Sequence, residues 1–330
     1  MLQAVSDGVF PSAVCAVGVK NENLFMGAAG GVSFSTLYDV ASLTKIMSTT
    51  MIALRAIDGG NLALSDPISR FFDAPHDKAA ITIQDLLTHT GGFEPFFLLE
   101  EEVESPEDVV SCILKHPLAA PPDGTPRYSC IGFILLGKIL EKIYREPLNL
   151  IAEKTVFQPL GMFHTGYLPQ KGEFAPTEID PATGVAWSGL VHDENARFLG
   201  GVSGNAGVFT NIQDCARFAT MLAIGGRGFL SNDIFQKAIQ NHTKGHETHR
   251  GLGFQLAGTK DCFFGGLLPG NSFGHTGFTG TSIVVEPSSG LYIVLLTNRV
   301  HPSRDNLGIL RFRRHFHTIV YTCFQSLSRS

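Results

Sequence analysis

Strand-like segments lie at both ends of the chain, and helical segments fill its middle. Residues 13–19 form a short apolar run that predicts a buried strand, and residues 24–28 can pair back on it across a polar turn. The strands predicted near the carboxyl end are residues 251–256, 272–276, 281–285 and 291–297. Since strands of one sheet must meet, we predict an α/β (α+β) fold in which an antiparallel sheet is flanked by helices and carries an inserted helical lobe.

The domain organisation follows from the same pattern. The chain has 330 residues, and 44% of them are hydrophobic, which is enough for a large core. No linker between independent units is visible, so we predict a single domain over residues 1–330. Its sheet lobe would span approximately 1–58 and 200–330, and its helical lobe approximately 59–199.

Composition excludes several classes of protein. The formal net charge is −5 and charged residues are 17% of the chain, which argues against a nucleic-acid partner bound through a broad basic surface. No apolar run reaches the ~18 residues of a transmembrane segment. Residues 1–20 lack the basic and apolar regions of a signal peptide, so cytoplasmic and periplasmic locations both stay open. The six cysteines are scattered, which favours reduced thiols over a disulfide framework.

The first chemical motif is Ser42-Leu43-Thr44-Lys45, at the start of a helix predicted over residues 42–58. Residues three apart face the same side of a helix, so Ser42 and Lys45 are predicted to be neighbours. If the lysine is held neutral, it can take the proton of the serine, which makes an acyl-transfer nucleophile without a histidine. The positive end of the helix dipole would assist.

Two further segments could complete an acyl-transfer site. Tyr128 follows the rigid turn at residues 121–124, and its phenol could move protons if the Lys45 cation favours the phenolate. His275-Thr276-Gly277 ends a predicted strand, where a backbone can approach a bound acyl group.

The three motifs, in this order, resemble those of the serine β-lactamase and penicillin-binding-protein superfamily. The resemblance is to the class C branch, with its D-Ala-D-Ala carboxypeptidases and β-lactamase-like esterases, which shows S-x-x-K, Y-x-N and K/H-T-G. It extends over nearly the whole chain and includes the segments YDVASLTK at 38–45, LLTHTGG at 86–92, PLGM at 159–162 and VHDENA at 191–196.

The resemblance implies a role for each matched residue. Ser42 would be the acylated nucleophile, and Lys45 and Tyr128 would share the acid/base work. The N–H groups of Ser42 and Phe278 would form the oxyanion hole, and His275, Thr276 and Gly277 would bind the substrate. The substrate would be a small peptide, a β-lactam or an ester, and no metal or organic cofactor is expected.

Two positions depart from the family pattern. Cys130 stands where Asn is usual, and a thiol is a weaker hydrogen-bonding group than an amide, so we expect slower turnover or altered substrate choice. His275 stands where many β-lactamases have Lys, which resembles some D-Ala-D-Ala peptidases more closely. We therefore predict a D-Ala-D-Ala carboxypeptidase-like enzyme. The alternatives are a β-lactamase-like esterase or weak β-lactamase, and a non-catalytic protein that binds peptides in the old cleft.

Two other clusters are given structural interpretations. His242, His246 and His249 have spacings that could bind Zn²⁺, but the polar segment 241–250 is more typical of a solvated loop. The basic residues of a final helix predicted over 306–326, which include Arg313 and His317, are placed on its solvent face. Its packed face is predicted to carry Ile309, Phe312, Phe316, Ile319 and Val320.

Overall fold

The architecture was obtained as a computed structural model that describes residues 1–327. A six-stranded antiparallel sheet, with the order β2-β1-β9-β8-β7-β6, takes its strands from both ends of the chain. The strands are β1 Ala13–Val19, β2 Glu22–Ala29, β6 Gln255–Leu256, β7 Phe273–Thr276, β8 Ser282–Glu286 and β9 Leu291–Thr297. The predicted α/β class with an antiparallel sheet is confirmed.

The helices are short except for two. They are α1 Leu2–Ser6, α2 Met51–Asp58, α3 Ile83–Thr88, α4 Val109–Lys115, α5 Cys130–Tyr144, α6 Leu148–Ala152, α7 Glu194–Phe198, α8 Ile212–Ala223, α9 Asn232–Ile239 and α10 Gly308–Leu327. Among the helices of residues 1–327, none combines the length and the apolar character that crossing a bilayer requires.

Both faces of the central sheet are buried along β1, β8 and β9, whereas the edge strand β2 is mostly exposed. Side chains alternate between the two faces along each strand. Val14 and Ala16 of β1 point into the main core, which α8 covers. Cys15 points to the other face, where it packs with Ile309 of α10. The sheet is therefore a middle layer between helices, and its inner strands β1, β8 and β9 are nearly continuous apolar runs.

A second, three-stranded sheet carries the segment that leads to Ser42. It consists of β3 Tyr38–Asp39, β5 Val208–Thr210 and β4 Gly166–Tyr167, in the order β3-β5-β4. The Oγ1 atom of Thr44 also accepts a hydrogen bond from the Val208 N–H at 3.1 Å. This pairing fixes the chain on both sides of Ser42.

The helix predicted over residues 42–58 is irregular in its first half. Ala41–Leu43 forms a 3₁₀ turn, Lys45–Thr50 a π-helical segment and Met51–Asp58 the regular helix α2. π-Helical segments often mark functional positions. The predicted end of the helix at Gly59 is confirmed.

Helix α3 ends at His89, which adopts left-handed backbone angles (φ 61°). The prediction for the final helix is wrong in part. In α10, Ile309, Phe312, Phe316 and Val320 pack inward as predicted, but Arg313 and His317 are buried and Ile319 is 61% exposed, against the prediction. The cause is hydrogen bonding: Arg313 donates to the Gly277 carbonyl, and His317 bonds with the Ser282 hydroxyl.

Candidate active site

Ser42 lies in a turn that a buried carboxylate holds in place. Asp39 Oδ1 accepts the N–H of Ala41 at 2.8 Å, and Oδ2 accepts the N–H of His192 at 2.7 Å. Ala41 adopts φ 47°, which L-residues avoid at a cost of about 1 kcal/mol. Burial raises the pKa of Asp39 to about 6, against the lowering effect of these two hydrogen bonds. The hydrogen bond from Ala41 to Asp39 thus stabilises the strained backbone at Ala41. Backbone strain at a functional position persists only where the surrounding structure holds it.

Lys45 is fully buried and makes three contacts through Nζ. These contacts are Ser42 Oγ at 2.9 Å, Cys130 Sγ at 3.4 Å and the carbonyl oxygen of Asn205 at 3.0 Å. Burial alone would lower the pKa of Lys45, but its interactions with Cys130, Tyr128 and the Asp193 carboxylate act in the opposite direction, and the net pKa is raised. The resting lysine is therefore an ammonium that donates to Ser42. This differs from the neutral lysine on which the sequence argument depended.

Tyr128 and Cys130 reach the site because α5 begins beside it. Ser129 is the N-cap of α5: its Oγ accepts the Gly132 N–H at 3.1 Å and donates to the Glu94 carbonyl at 2.6 Å. The Cys130 N–H donates to the Pro95 carbonyl at 2.9 Å. These bonds leave the side chains on either side of Ser129 free to face Lys45.

The phenol of Tyr128 interacts with both Ser42 and Lys45. Burial raises the pKa of Tyr128, while the Lys45 charge and hydrogen bonds from Lys45 and Ser42 act against that rise. Nζ of Lys45 is also 5.1 Å from the centre of the Tyr128 ring. In the resting site the tyrosine is a neutral phenol, so a proton must leave the Lys45–Tyr128 pair before the pair can accept one.

The third motif packs against the backbone that precedes Ser42. A Cβ atom at Gly277 would lie 2.3 Å from the Val40 carbonyl oxygen, so only glycine fits there. The hydroxyls of Thr279 and Thr281 donate to the carbonyls of Asp39 and Val40, at 2.7 and 3.1 Å. The end of β7 and the Ser42 turn therefore form one unit.

His275 and Phe278 are placed differently with respect to the cleft. The His275 ring is 5.8 Å from that of Tyr128, and its Nδ1 bonds with the Thr276 carbonyl at 2.7 Å. Burial, followed by the charges of Lys45 and Arg250, lowers the pKa of His275 to about 3, so this imidazole is neutral at physiological pH. Phe278 is half-exposed, and the backbone bonds that close its turn use the N–H groups of Gly277 and Gly280 rather than its own.

A cavity of about 520 Å³ opens beside Ser42. One wall is apolar, and its far rim carries charges that include the Glu194–Arg304 ion pair, at 2.8 Å. The lining residues are Ala41, Ser42, Pro95, Phe96, Leu98, Tyr128, Cys130, His192, Asp193, Glu194, Phe278 and Arg304. Four of the predicted site residues thus share one cavity, while Thr276 and Gly277 lie at the end of β7 without lining it.

The histidines of segment 241–250 do not form a metal centre. Within residues 1–327, no group of three or more His, Cys, Asp or Glu side chains is arranged to hold a metal ion. The prediction of a solvated loop fails at its last residue, because Arg250 is 8% exposed and lies over the ring of Tyr128.

Sequence reasoning missed three residues that shape the site, namely Asp39, Asn205 and Arg250. Asp39 precedes the motif by only three positions, so its closeness to Ser42 was a usable signal. Asn205 contributes its main-chain carbonyl to Lys45, which no side-chain pattern reports. Arg250 belongs to a polar run, and only the fold reveals that its guanidinium turns inward.

A family model described as Beta-lactamase matches residues 2–316, and the chain therefore belongs to this family. It is a serine hydrolase of the β-lactamase fold, as the three motifs predicted. A relative from Escherichia coli (strain K12), provisionally named a D-alanyl-D-alanine carboxypeptidase, is 34% identical over 304 residues, which cover 81% of this chain and 70% of the relative.

Solved structures share the fold at low sequence identity. A penicillin-binding protein from Bacillus halodurans superimposes with a TM-score of 0.72 at 20% identity, covering 95% of this chain and 98% of that one. EstCE1, a hydrolase with promiscuous acyltransferase activity, gives 0.76 at 21% identity, covering 94% and 95%. Members of this fold thus differ in activity, so the reaction must be argued from the site.

Proposed function

We propose that this protein hydrolyses D-Ala-D-Ala-type peptides of cell-wall precursors through a covalent acyl-enzyme at Ser42, and that penicillin acylates the same serine. The main observation that supports this proposal is the buried Lys45 ammonium, which bonds with Ser42 Oγ and Cys130 Sγ at 2.9 and 3.4 Å. Among residues 1–327, Lys45 forms no ion pair with a carboxylate, although the Asp193 charge helps to raise its pKa. A buried lysine of this kind has a chemical use, because burial of an unpaired charge is costly. The provisional name of the 34% identical relative supports the substrate class.

The proposed mechanism divides the work among the matched residues. Ser42 attacks the carbonyl carbon, and the Lys45–Tyr128 pair accepts its proton and delivers it to the leaving group. The N–H groups of Ser42 and Phe278 stabilise the oxyanion. The third motif binds the carboxylate or carbonyl of the substrate at the edge of the cavity, where Thr276 is partly exposed, and the buried His275 and Gly277 hold that segment in place.

Intact-mass spectrometry after incubation with penicillin tests the nucleophile. We expect an adduct of one penicillin mass on the wild-type protein and none on Ser42→Ala, since the acyl bond forms at that oxygen. Parallel assays with a D-Ala-D-Ala peptide would show turnover by the wild type alone. A protein that acquires no adduct and cleaves neither peptide nor ester would be a non-catalytic binder instead.

The apolar wall of the cavity favours a second candidate, an esterase on the same machinery. Pro95, Phe96 and Leu98 offer little to the polar backbone of a peptide but can bury an acyl chain. Fast turnover of p-nitrophenyl butyrate with no cleavage of the D-Ala-D-Ala peptide would establish the esterase and reject the carboxypeptidase.

Cys130→Asn is expected to raise peptide turnover about tenfold, because an amide gives the substrate and Lys45 stronger hydrogen bonds than a thiol does. Steady-state kinetics on the D-Ala-D-Ala peptide would measure this gain. The matched control is Cys323→Ser, which changes an exposed thiol. Slower turnover by Cys130→Asn on both peptide and ester would show that the site is adapted to the thiol.

A further inference from the structure

Arg250 is a buried cation that forms no ion pair with a carboxylate among residues 1–327. It is 8% exposed, and its Nε atom has no hydrogen-bond partner within residues 1–327. Burial lowers the pKa of Arg250, and the groups that oppose this effect are Tyr128 and Cys262, with no carboxylate among them. An unpaired guanidinium in such a position is costly, so a role for its charge is expected.

The position of Arg250 is set by its backbone. Its N–H donates to Thr243 Oγ1 at 2.9 Å, and its carbonyl accepts the His242 N–H at 2.8 Å. A Cβ atom at Gly251 would lie 2.3 Å from the Ala238 carbonyl oxygen, so the chain passes too close to α9 for any other residue there. The side chain is thereby directed to Tyr128, whose ring centre is 5.5 Å from the guanidinium carbon.

Positive charge and neutral rings surround Tyr128. Lys45 lies 5.1 Å from the centre of the ring, and the His89 ring is 4.6 Å away. The Lys45 and Arg250 charges both disfavour protonation of His89 and of His275. The titratable groups that face Tyr128 are Lys45, His89, Cys130, Arg250 and His275, with Asp193 acting on Lys45 and Arg313 on His275.

We propose that Arg250 is a positioning residue that acts through Tyr128: its charge favours loss of a proton from the Lys45–Tyr128 pair, which can then take the proton of Ser42. This inference rests on the proposed function, because it concerns the same acylation step. A fixed positive charge favours removal of a proton from its neighbours, whichever member of the pair loses it.

The proton balance of the step is simple. The pair first releases one proton to solvent. As Ser42 Oγ bonds to the substrate carbonyl carbon, its hydroxyl proton moves to the deprotonated pair. The pair then passes this proton to the leaving amine or alkoxide while the C–N or C–O bond breaks.

Removal of the Arg250 charge should move the acid limb of kcat/KM to higher pH. Arg250→Gln and Arg250→Met are expected to shift that limb by about one unit, an approximately tenfold loss at low pH. Arg250→Lys should restore most of the wild-type profile, since it keeps the charge. The loss should be equal for the D-Ala-D-Ala peptide and for p-nitrophenyl butyrate, because the pair serves both.

A second readout does not depend on turnover. The ultraviolet absorbance of tyrosinate, titrated in the wild type and corrected with Tyr128→Phe, follows Tyr128 alone. The difference in tyrosinate absorbance between Arg250→Gln and Arg250→Gln/Tyr128→Phe should have its midpoint about one pH unit higher. This result would support the inference even if neither substrate is cleaved, in which case only the proposed function would fail.

The matched control is Arg55→Gln, which removes a partly buried arginine that stacks on Phe229, away from the motifs. We expect its pH profile to equal that of the wild type. An unmoved acid limb and an unmoved titration in the charge-removing variants would overturn the proposal. So would a rise in KM confined to the peptide, because Arg250 would then bind the substrate carboxylate.

Discussion

Lys45→Met is expected to lower the rate of Ser42 acylation by penicillin about 1,000-fold. Methionine fills a similar volume but cannot donate to Ser42 Oγ or transfer a proton, and general acid–base catalysis contributes up to about 10⁴-fold. The acylation rate is measured by mass spectrometry of samples quenched over time. The fold should persist, since replacing a buried charge by an apolar side chain is often neutral for stability.

Lys138→Met is the control for this result, because Lys138 is partly exposed and pairs with Glu141 on the surface of α5. Its acylation rate should be within twofold of the wild-type rate. Acylation of Lys45→Met at the wild-type rate, with an unchanged unfolding temperature, would contradict the mechanism proposed for the pair.

Gly204→Ala is expected to lower the free energy of unfolding by about 3 kcal/mol, at the upper end of overpacking effects. The added Cβ would lie 2.1 Å from the Phe133 carbonyl oxygen and 3.1 Å from Gly137 Cα, both in the backbone of α5. No rotamer relieves this contact, so the segment must move. Because Asn205 follows and its carbonyl accepts from Lys45, acylation should slow as well.

Denaturant unfolding measures the change in stability, and Gly270→Ala provides the control. A Cβ atom at Gly270 would meet no heavy atom within 4 Å. Its free energy of unfolding should stay within about 0.5 kcal/mol of the wild-type value, as is usual for surface positions. Equal stability of the two variants would show that α5 and the 200–207 segment separate more easily than their packing indicates.

The sheet was predictable because its strands are apolar runs with clear ends. β9 has the predicted bounds, 291–297, since a turn rich in Ser and Gly precedes it and every one of its residues is buried. The length of β6 was overestimated, because residues 251–254 form a tight turn whose glycines fit against Ala238 and Thr50. Apolar pattern alone cannot distinguish these two cases.

The proximity of the motif residues was also predictable from the sequence, but their charge states were not. Spacing brought Ser42 next to Lys45, yet the charge state of Lys45 depends on Tyr128 and Cys130, which are distant in sequence. Likewise, Arg313 and Arg250 are polar residues that hydropathy assigns to solvent. Both are buried because the backbone around them turns their side chains inward, and a carbonyl or a ring is present there to receive the charge.

The two sides of the cleft differ in how readily their residues can be substituted. The floor depends on backbone contacts at Gly277 and Val40, where even one added carbon would collide. The opposite wall is held by hydrogen bonds to its main chain: the Pro95 carbonyl accepts from Cys130 N–H, and the Asn195 side chain bonds to the Phe97 carbonyl and the Leu99 N–H. The side chains of Phe96 and Leu98 take no part in these hydrogen bonds. In such a fold the side chains that contact the substrate can be substituted while the reactive groups keep their positions.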